Sequence, residues 1–191
     1  MKPLYFAYYT KHTLYEKEVE KLEASLQKYS LNYFIQPIEN LGSWQRNINI
    51  KASLIQKKLL SITDPLVYVD CDAEFVSYPE LFEMLTCDVA VHEFDRSLYQ
   101  PNRKGCKKEI LSGTIFFNQT EKAKEILNKW VELCKRQSSV WDQKLLDQVL
   151  AGDFYQLPPQ YCCIFDTMAC VENKVIVHYQ ASRQARKIER K

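Results

Sequence analysis

The sequence predicts a single α/β domain in which helices flank a mostly parallel central sheet. A strand, a helix and a second strand follow one another within residues 4–38, an order typical of a parallel βαβ unit. The chain has 191 residues, of which 46% are hydrophobic and 13% are aromatic. This length and composition are sufficient for one globular domain with a sizeable core.

The N-terminal half alternates between strand and helix patterns. Residues 4–9 (LYFAYY) and 31–38 (LNYFIQPI) are rich in aromatic and branched side chains, which favour strands. Between them, apolar side chains recur at helical spacing from Tyr15 to Tyr29, so this segment is predicted to be a helix. The segments predicted next are a loop over 39–50, a helix over 51–62, a strand over 65–69 and a short helix over 79–85.

The C-terminal half continues the alternation around a long polar segment. Thr120 is expected to cap one helix and Gly152 to follow the end of another. The polar and basic loop 95–112 is long enough to close over a ligand. The predicted order is strand 88–94, loop 95–112, strand 114–118, helix 121–136, helix 141–151 and strand 174–179.

Composition excludes several functional classes. The net charge of +2 is too small to indicate a nucleic-acid partner. The chain has only four glycines and no glycine-rich phosphate loop. It has no apolar run long enough for a membrane helix and no pattern of a secretory leader. The seven cysteines form no CxxC pair, which favours reduced thiols and a cytoplasmic location.

Two carboxylates follow the buried strand pattern at 65–69. Asp70 and Asp72 stand one residue apart, in a fold class that binds ligands at the carboxyl ends of strands. Such hard oxygen ligands suit Mg²⁺ or Mn²⁺. A solvated surface turn is the plainer alternative. A phosphatase of the haloacid dehalogenase type, with Asp70 as nucleophile, is another, although those enzymes place that residue on their first strand.

Three further motifs carry groups that can act in a site. His178 ends an apolar strand pattern and is followed by cations, although a single histidine is more often structural. Ser112 and Gly113 precede a strand and would allow close approach of the backbone to a ligand, or simply form a tight turn. Asp142 and Gln143 open a helix, where the acid can also serve only the helix dipole.

Taken in order, these motifs resemble the GT-A nucleotide-diphospho-sugar glycosyltransferases. The ordered set is a strand with Asp-x-Asp, the strand SGTIFFN, the helix start WDQ, and a late strand ending in histidine. It is similar to the compact bacterial and viral type related to the glycogenin and lipopolysaccharide galactosyltransferase group, over residues 4–187. The resemblance implies a GT-A, Rossmann-like domain over residues 1–181, with a basic tail at 182–191.

The resemblance also implies a division of roles in the transfer of a sugar from a UDP-linked donor. Asp142 would be the catalytic base in an inverting reaction; the sequence does not decide between inversion and retention. The late histidine of glycogenin-like enzymes is followed by glycine and Lys-Pro-Trp. Here HYQASRQAR takes that place, so Arg183 or Arg186 would bind the diphosphate. The remaining implied ligands are Asp70, Asp72 and His178 for Mn²⁺ or Mg²⁺, Ala7, Tyr8, Tyr9, Thr10, Lys51 and Asp70 for the nucleotide, and His92, Ser112, Gly113, Thr114 and Gln143 for sugar or acceptor.

The acceptor remains open at this level. A glycan, a lipid-linked sugar or a protein would each fit a role in glycan or surface-polysaccharide synthesis. The basic tail 182–191 would allow peripheral contact with a membrane. A module that binds nucleotide-sugars without turnover is the alternative from another functional class.

Overall fold

The computed structural model describes residues 2–101 and 108–183, which form two β-sheets with helices packed around them. The larger sheet has six strands and the smaller has three. The strands are β1 (Leu4–Thr10), β2 (Tyr33–Ile38), β3 (Leu66–Val69), β4 (Ala73–Phe75), β5 (Val89–Asp95), β6 (Lys108–Phe117), β7 (Tyr155–Gln156), β8 (Cys163–Ile164) and β9 (Ile176–His178). The helices are α1 (Tyr15–Lys28), α2 (Trp44–Asn49), α3 (Lys51–Leu59), α4 (Leu81–Met84), α5 (Arg96–Tyr99), α6 (Glu121–Arg136) and α7 (Asp142–Leu150).

The central sheet has the strand order β2-β1-β3-β6-β5-β7. Five strands share one direction, whereas β6 runs antiparallel to both of its neighbours, β3 and β5. The α/β class is thus confirmed, and the prediction of a mostly parallel sheet holds only in part. The exception arises because β5 and β6, which follow one another along the chain, pair as antiparallel strands.

The smaller sheet joins two distant parts of the chain. Its order is β4-β9-β8, with β9 antiparallel to β4 and parallel to β8. The predicted last strand therefore exists, but it belongs to this second sheet instead of the central one. Because β4 follows β3 after only three residues, β9 is held close to the end of β3.

Apolar side chains cover both faces of the central sheet. Helices α3, α6 and α7 pack on one face, where Trp130 is completely buried. Helix α1 packs on the other face through Leu22 and Leu26. The apolar stripes predicted for α1 and α6 are confirmed, and Thr120 caps α6 by accepting a hydrogen bond from the Ala123 amide. None of the helices in the described ranges is long and apolar enough to cross a membrane.

Two predicted loops contain regular structure. The loop over 39–50 includes α2, whose Ser43 cap accepts a hydrogen bond from the Arg46 amide. The loop over 95–112 includes α5 and the first half of β6, which pairs with β5 from Lys108 onwards. Both elements depend on contacts with distant segments, which local patterns of polarity do not report.

Candidate active site

A cleft of about 410 Å³ opens where β1 and β3 end. This is the edge of the sheet at which α/β folds bind their ligands. Helix α2, the start of α7 and the chain just after β9 complete its walls. The predicted site residues among its lining are Tyr8, Tyr9, Thr10, Lys51, Asp70, Asp72, Ser112, Asp142, Gln143 and Arg183.

Asp70, Asp72 and His178 converge at the floor of this cleft. One ligand atom from each lies within 4.8 Å of the other two. The cause is the register of the smaller sheet, because Ala73, which follows Asp72, is paired directly with His178. One antiparallel strand pair, β4 with β9, therefore brings together Asp72 and His178, which are more than one hundred residues apart in sequence.

The imidazole of His178 is held in one orientation. Its Nε2 shares a hydrogen bond of 2.9 Å with the Thr114 hydroxyl, and its Nδ1 lies 3.9 Å from Asp72 Oδ1. Burial of the ring disfavours its cation, but Cys162 and Asp72 favour it more strongly, so the pKa of His178 rises to about 10. The acidic neighbours thus favour the protonated form of the ring.

Gly113 makes this convergence sterically possible. A Cβ atom at this position would lie 2.9 Å from His178 Cε1 and 3.1 Å from Nδ1. It would also lie 3.4 Å from Asp70 Oδ2. The ring and the carboxylate therefore pack directly on the main chain of β6, an approach that only glycine allows without displacement.

Asp72 is fixed by the chain that follows β9. Its Oδ2 accepts a hydrogen bond of 2.7 Å from the Ala181 amide, and its main-chain carbonyl accepts one from the Tyr179 amide. The second carboxylate of the pair is thus oriented by the same segment that carries His178.

A buried lysine joins two of the acidic groups. Lys51 Nζ lies 3.0 Å from Asp70 Oδ1 and 3.1 Å from Asp142 Oδ2, and it also donates to Ser112. Burial opposes ionisation of Asp70, but Lys51 and His178, together with a hydrogen bond from Tyr68, outweigh it and lower the pKa of Asp70. Burial likewise opposes the lysine cation, yet Asp142 and Asp70 together raise the pKa of Lys51. The site is therefore a network of paired charges.

Asp142 is positioned from the core. Trp130 of α6 donates its indole N–H to the Asp142 carbonyl over 2.9 Å, which fixes the first turn of α7. The Ser112 hydroxyl donates to the Asp142 carboxylate, and the Ser112 amide donates to Gln143 Oε1. Asp142 and Gln143 therefore both face the cleft beside β6.

The other predicted residues lie elsewhere. Gly113, Thr114 and His178 form the layer beneath the cleft. Ala7 packs in the apolar core on the α1 face, and its side chain does not line the cleft. Arg183 lines the cleft and is ion-paired with Asp166. Arg186 lies outside the described residues.

His92 is not brought to the cleft. Its Nδ1 donates to the Leu157 carbonyl over 2.8 Å, and burial lowers the pKa of its ring. Its Nε2 is buried and has no hydrogen-bond partner within residues 2–101 and 108–183. The structure thus gives His92 a place in the core between β5 and the chain at Leu157.

Several residues that line the cleft were not predicted. Trp44 and Trp141 lie on one wall, and Arg96 and Glu109 lie on another. A tryptophan directly before the Asp-Gln pair was a usable signal for Trp141. The others had no local signal, since Trp44 and Arg96 lie in segments predicted to be loops. Tyr15 also lines the cleft, but its spacing had assigned it only to the apolar stripe of α1.

Comparison with known protein families identifies the family to which the chain belongs. Residues 44–190 match the family model described as nucleotide-diphospho-sugar transferase. The chain belongs to this family. A search of curated protein sequences found no match.

Solved structures similar to this transferase share its fold. A glycosyltransferase involved in the glycosylation of the major capsid of PBCV-1 has a TM-score of 0.74 at 16% identity, covering 99% of this chain and 98% of its own. The glycosyltransferase GlyE of Streptococcus pneumoniae TIGR4 has a TM-score of 0.64 at 16% identity. That match covers 94% of this chain and 55% of GlyE. The predicted GT-A type of glycosyltransferase fold is thus confirmed.

Proposed function

We propose that this transferase moves a hexosyl group from a UDP-linked donor to an acceptor hydroxyl, with Mn²⁺ or Mg²⁺ bound at Asp70, Asp72 and His178. The observation that carries the proposal is the convergence of these three side chains at the floor of the cleft. Two carboxylates and an imidazole, each fixed by a hydrogen bond and within 4.8 Å of one another, form a donor set that suits a divalent ion.

The donor set fits a divalent ion. The Thr114 hydroxyl occupies His178 Nε2, which leaves Nδ1 as the nitrogen that faces Asp72. Second-shell bonds of this kind orient metal-binding histidines. The proton on the metal-free imidazole would leave when the ion binds. When bound, the ion would supply positive charge to the diphosphate as it departs.

Arg183 supports binding of the diphosphate. Its guanidinium lines the cleft and is held near the cleft by Asp166. We infer that Arg183 exchanges its partner Asp166 for the diphosphate when the donor binds, since guanidinium groups bind phosphate oxygens through paired hydrogen bonds. Arg186 stays a prediction for the same role.

Lys51 lines the cleft, as predicted for a nucleotide ligand, and it is also paired with two acids. Only 4% of the residue is exposed, and Asp70, Asp142 and Ser112 surround its ammonium. We propose that it positions both acids beneath the donor, so that it influences the nucleotide mainly through Asp70. Its ammonium also lies 3.1 Å from the carboxylate of Asp142, the proposed base for the acceptor hydroxyl.

The nucleotide end of the cleft is built by β1. Tyr8, Tyr9 and Thr10 line it, and Tyr8 donates its hydroxyl to the Asn47 carbonyl of α2 over 3.0 Å. Aromatic side chains at this edge suit the stacking of a base. We therefore propose that the uracil binds between the end of β1 and α2.

Calorimetry of UDP binding with and without Mn²⁺ tests the metal site. We expect Mn²⁺ to tighten UDP binding in the wild type and to have no effect on Asp72→Asn. Asp153→Asn is the matched control, because Asp153 is an exposed carboxylate outside the cleft. UDP that binds equally well with and without the ion would refute metal dependence.

Turnover distinguishes an enzyme from a module that only binds. Wild-type protein should release UDP from one member of a panel of UDP-hexoses, because activated water can replace the acceptor. Asp142→Asn should bind UDP with normal affinity, but it should form UDP from the UDP-hexose much more slowly. Tight binding of a UDP-hexose with no release of UDP, even with acceptors present, would instead favour the binding module.

A further inference from the structure

Two tryptophans form an aromatic wall at the mouth of the cleft. Trp44 begins α2, and Trp141 precedes α7. Their ring centroids lie 5.6 Å apart with an angle of 85° between the planes, an edge-to-face contact. Trp141 is 42% exposed although it lines the cleft, so a large part of an indole surface faces the opening.

The position of Trp141 is set by rigid neighbours. The amide of Lys144 donates to its carbonyl over 3.0 Å, and Trp130 fixes the carbonyl of the next residue, Asp142. The indole is therefore attached to the same helix start as the proposed base. Because both side chains line the cleft, an acceptor whose hydroxyl reaches the Asp142 carboxylate can contact Trp141 with the rest of its molecule.

A cluster of planar polar groups lies on the other side of Asp142. Glu109 accepts hydrogen bonds from Arg96 over 2.7 Å and from Gln143 over 3.4 Å. All three side chains line the cleft. Arg96 Nε has no hydrogen-bond partner within the described ranges, so this cluster retains a donor.

An aromatic face combined with planar polar groups matches one class of acceptor. A pyranose has an apolar face of C–H groups and an edge of hydroxyls that both donate and accept hydrogen bonds. An aromatic ring covers the first, and carboxylate, amide and guanidinium groups bind the second. A lipid chain would need an apolar channel, whereas the lining of this cleft includes the charged groups of Arg96 and Glu109.

We propose that the acceptor is a saccharide whose terminal ring lies on Trp141 and whose hydroxyls bind Glu109 and Gln143. The assignment rests on the proposed function, since it gives the hydroxyl that attacks the donor a path to Asp142. The donor binds deeper, at the end of β1 and the two aspartates. The exposure of Trp141 suits the partner that enters last from solvent.

The three tryptophans allow a direct test, because Trp44, Trp130 and Trp141 each give one indole N–H signal in a ¹⁵N-labelled sample. The sample is saturated with UDP and Mg²⁺ and titrated with methyl glycosides of glucose, galactose, mannose and N-acetylglucosamine. We expect one glycoside to shift the Trp141 signal saturably while buried Trp130 stays in place. Trp141→Phe identifies the signal and should retain binding.

Trp141→Ala should weaken that glycoside about tenfold or more, which corresponds to about 1.4 kcal/mol, and should leave UDP affinity unchanged. Tyr155→Ala is the matched control, since Tyr155 is also 42% exposed but lies outside the cleft lining. A Trp141 signal that no glycoside moves, or a loss of UDP binding in Trp141→Ala, overturns the acceptor assignment alone. Wild-type protein that does not bind UDP refutes the proposed function, and the acceptor assignment with it.

Discussion

Gly113 shows how the lack of a Cβ atom at one residue can permit the geometry of a site. Its main chain supports His178 and Asp70 at contact distance. In Gly113→Ala the added methyl group must displace the imidazole, because the clash is with the ring itself. We expect Mn²⁺ to lose its effect on UDP affinity while the melting temperature falls only slightly. Calorimetry and circular dichroism measure the two quantities, and an intact Mn²⁺ effect would contradict this account of the glycine.

Lys51 holds the buried carboxylate of Asp142 and the partly exposed carboxylate of Asp70 together, so its removal leaves Asp142 without its paired cation. Breaking a buried ion pair in this way costs about 3–5 kcal/mol of unfolding free energy. Lys51→Met should show a loss of this size in urea denaturation, and Asp142→Asn added to it should recover part of the loss. Lys122→Met is the control, because Lys122 is exposed and its ion pairs are solvated, so little change is expected.

His92 predicts a pH dependence of stability. Its pKa is lowered in the folded protein, so the unfolded chain binds more protons below the ordinary histidine pKa of about 6.5. Stability from the neutral ring is therefore lost as pH falls from about 7 towards 5. Protonation would also bury an N–H at Nε2 without an acceptor among the described residues.

The unfolding free energy of His92→Gln should accordingly depend less on pH between about 5 and 7 than that of the wild type. Urea titrations at several pH values measure this slope. His12→Asn is the control, because His12 is exposed and asparagine tolerates its positive φ of 58°. An unchanged slope in His92→Gln would show that burial does not disfavour the charged ring.

At the scale of elements, the sequence correctly predicted those helices and strands that are determined by their own residues. Helices α1 and α6 were predicted because each carries its own apolar stripe, and Thr120 its own cap. The three residues of β4 were missed because they are a strand only through pairing with β9. The direction of β6 was missed for the same reason, since the sequence of a strand does not show which strands it pairs with or in which direction.

Helix α2 illustrates a non-local cause that can be measured. Gln45 donates to the Val140 carbonyl and Asn49 to the Ser138 carbonyl, which attach the helix to the segment before α7. Each bond contributes about 1 kcal/mol, so losing both should raise local opening roughly 10- to 30-fold. Hydrogen exchange of peptides over 44–49 should report this in the double alanine variant.

Gln27→Ala provides the comparison for that variant, because the side-chain amide of Gln27 donates to the Tyr33 hydroxyl of β2. Exchange over 44–49 should be unaffected by it. If the double variant of Gln45 and Asn49 exchanged like the wild type, the helix would be stable without its attachment to the 138–141 segment.

At the scale of the whole molecule, the sequence identified much of the site but not its walls. Asp70, Asp72, His178 and Asp142 could be predicted because each polar group stands directly beside a strand or helix pattern. Trp44 and Arg96 could not, because their positions follow from how separate segments fold over the cleft. The ion pairs of Lys51 could not be predicted, since a sequence does not reveal that two acids enclose an ammonium group.

The predicted boundary between the domain and its basic tail at residue 181 can be tested by truncation. Deleting residues 184–191 should leave the melting temperature close to that of the full chain, because β9 and the bond from Ala181 to Asp72 remain. UDP affinity should fall if Arg186 binds the diphosphate. Deleting residues 174–191 is the contrasting variant and should lose the fold, since it removes β9. Equal UDP affinity in the full and shorter chains would remove Arg186 from the site.

The bond from Ala181 to Asp72 has a consequence for biosynthesis. Proteins are made from the N-terminus, so β1, β3 and both aspartates leave the ribosome well before β9. Until residues 176–181 follow, Asp72 lacks the amide that orients it and His178 is not yet paired beside Ala73. A nascent chain can thus build most of its central sheet early, yet the proposed metal site is complete only after β9 and the residues up to Ala181 have been made.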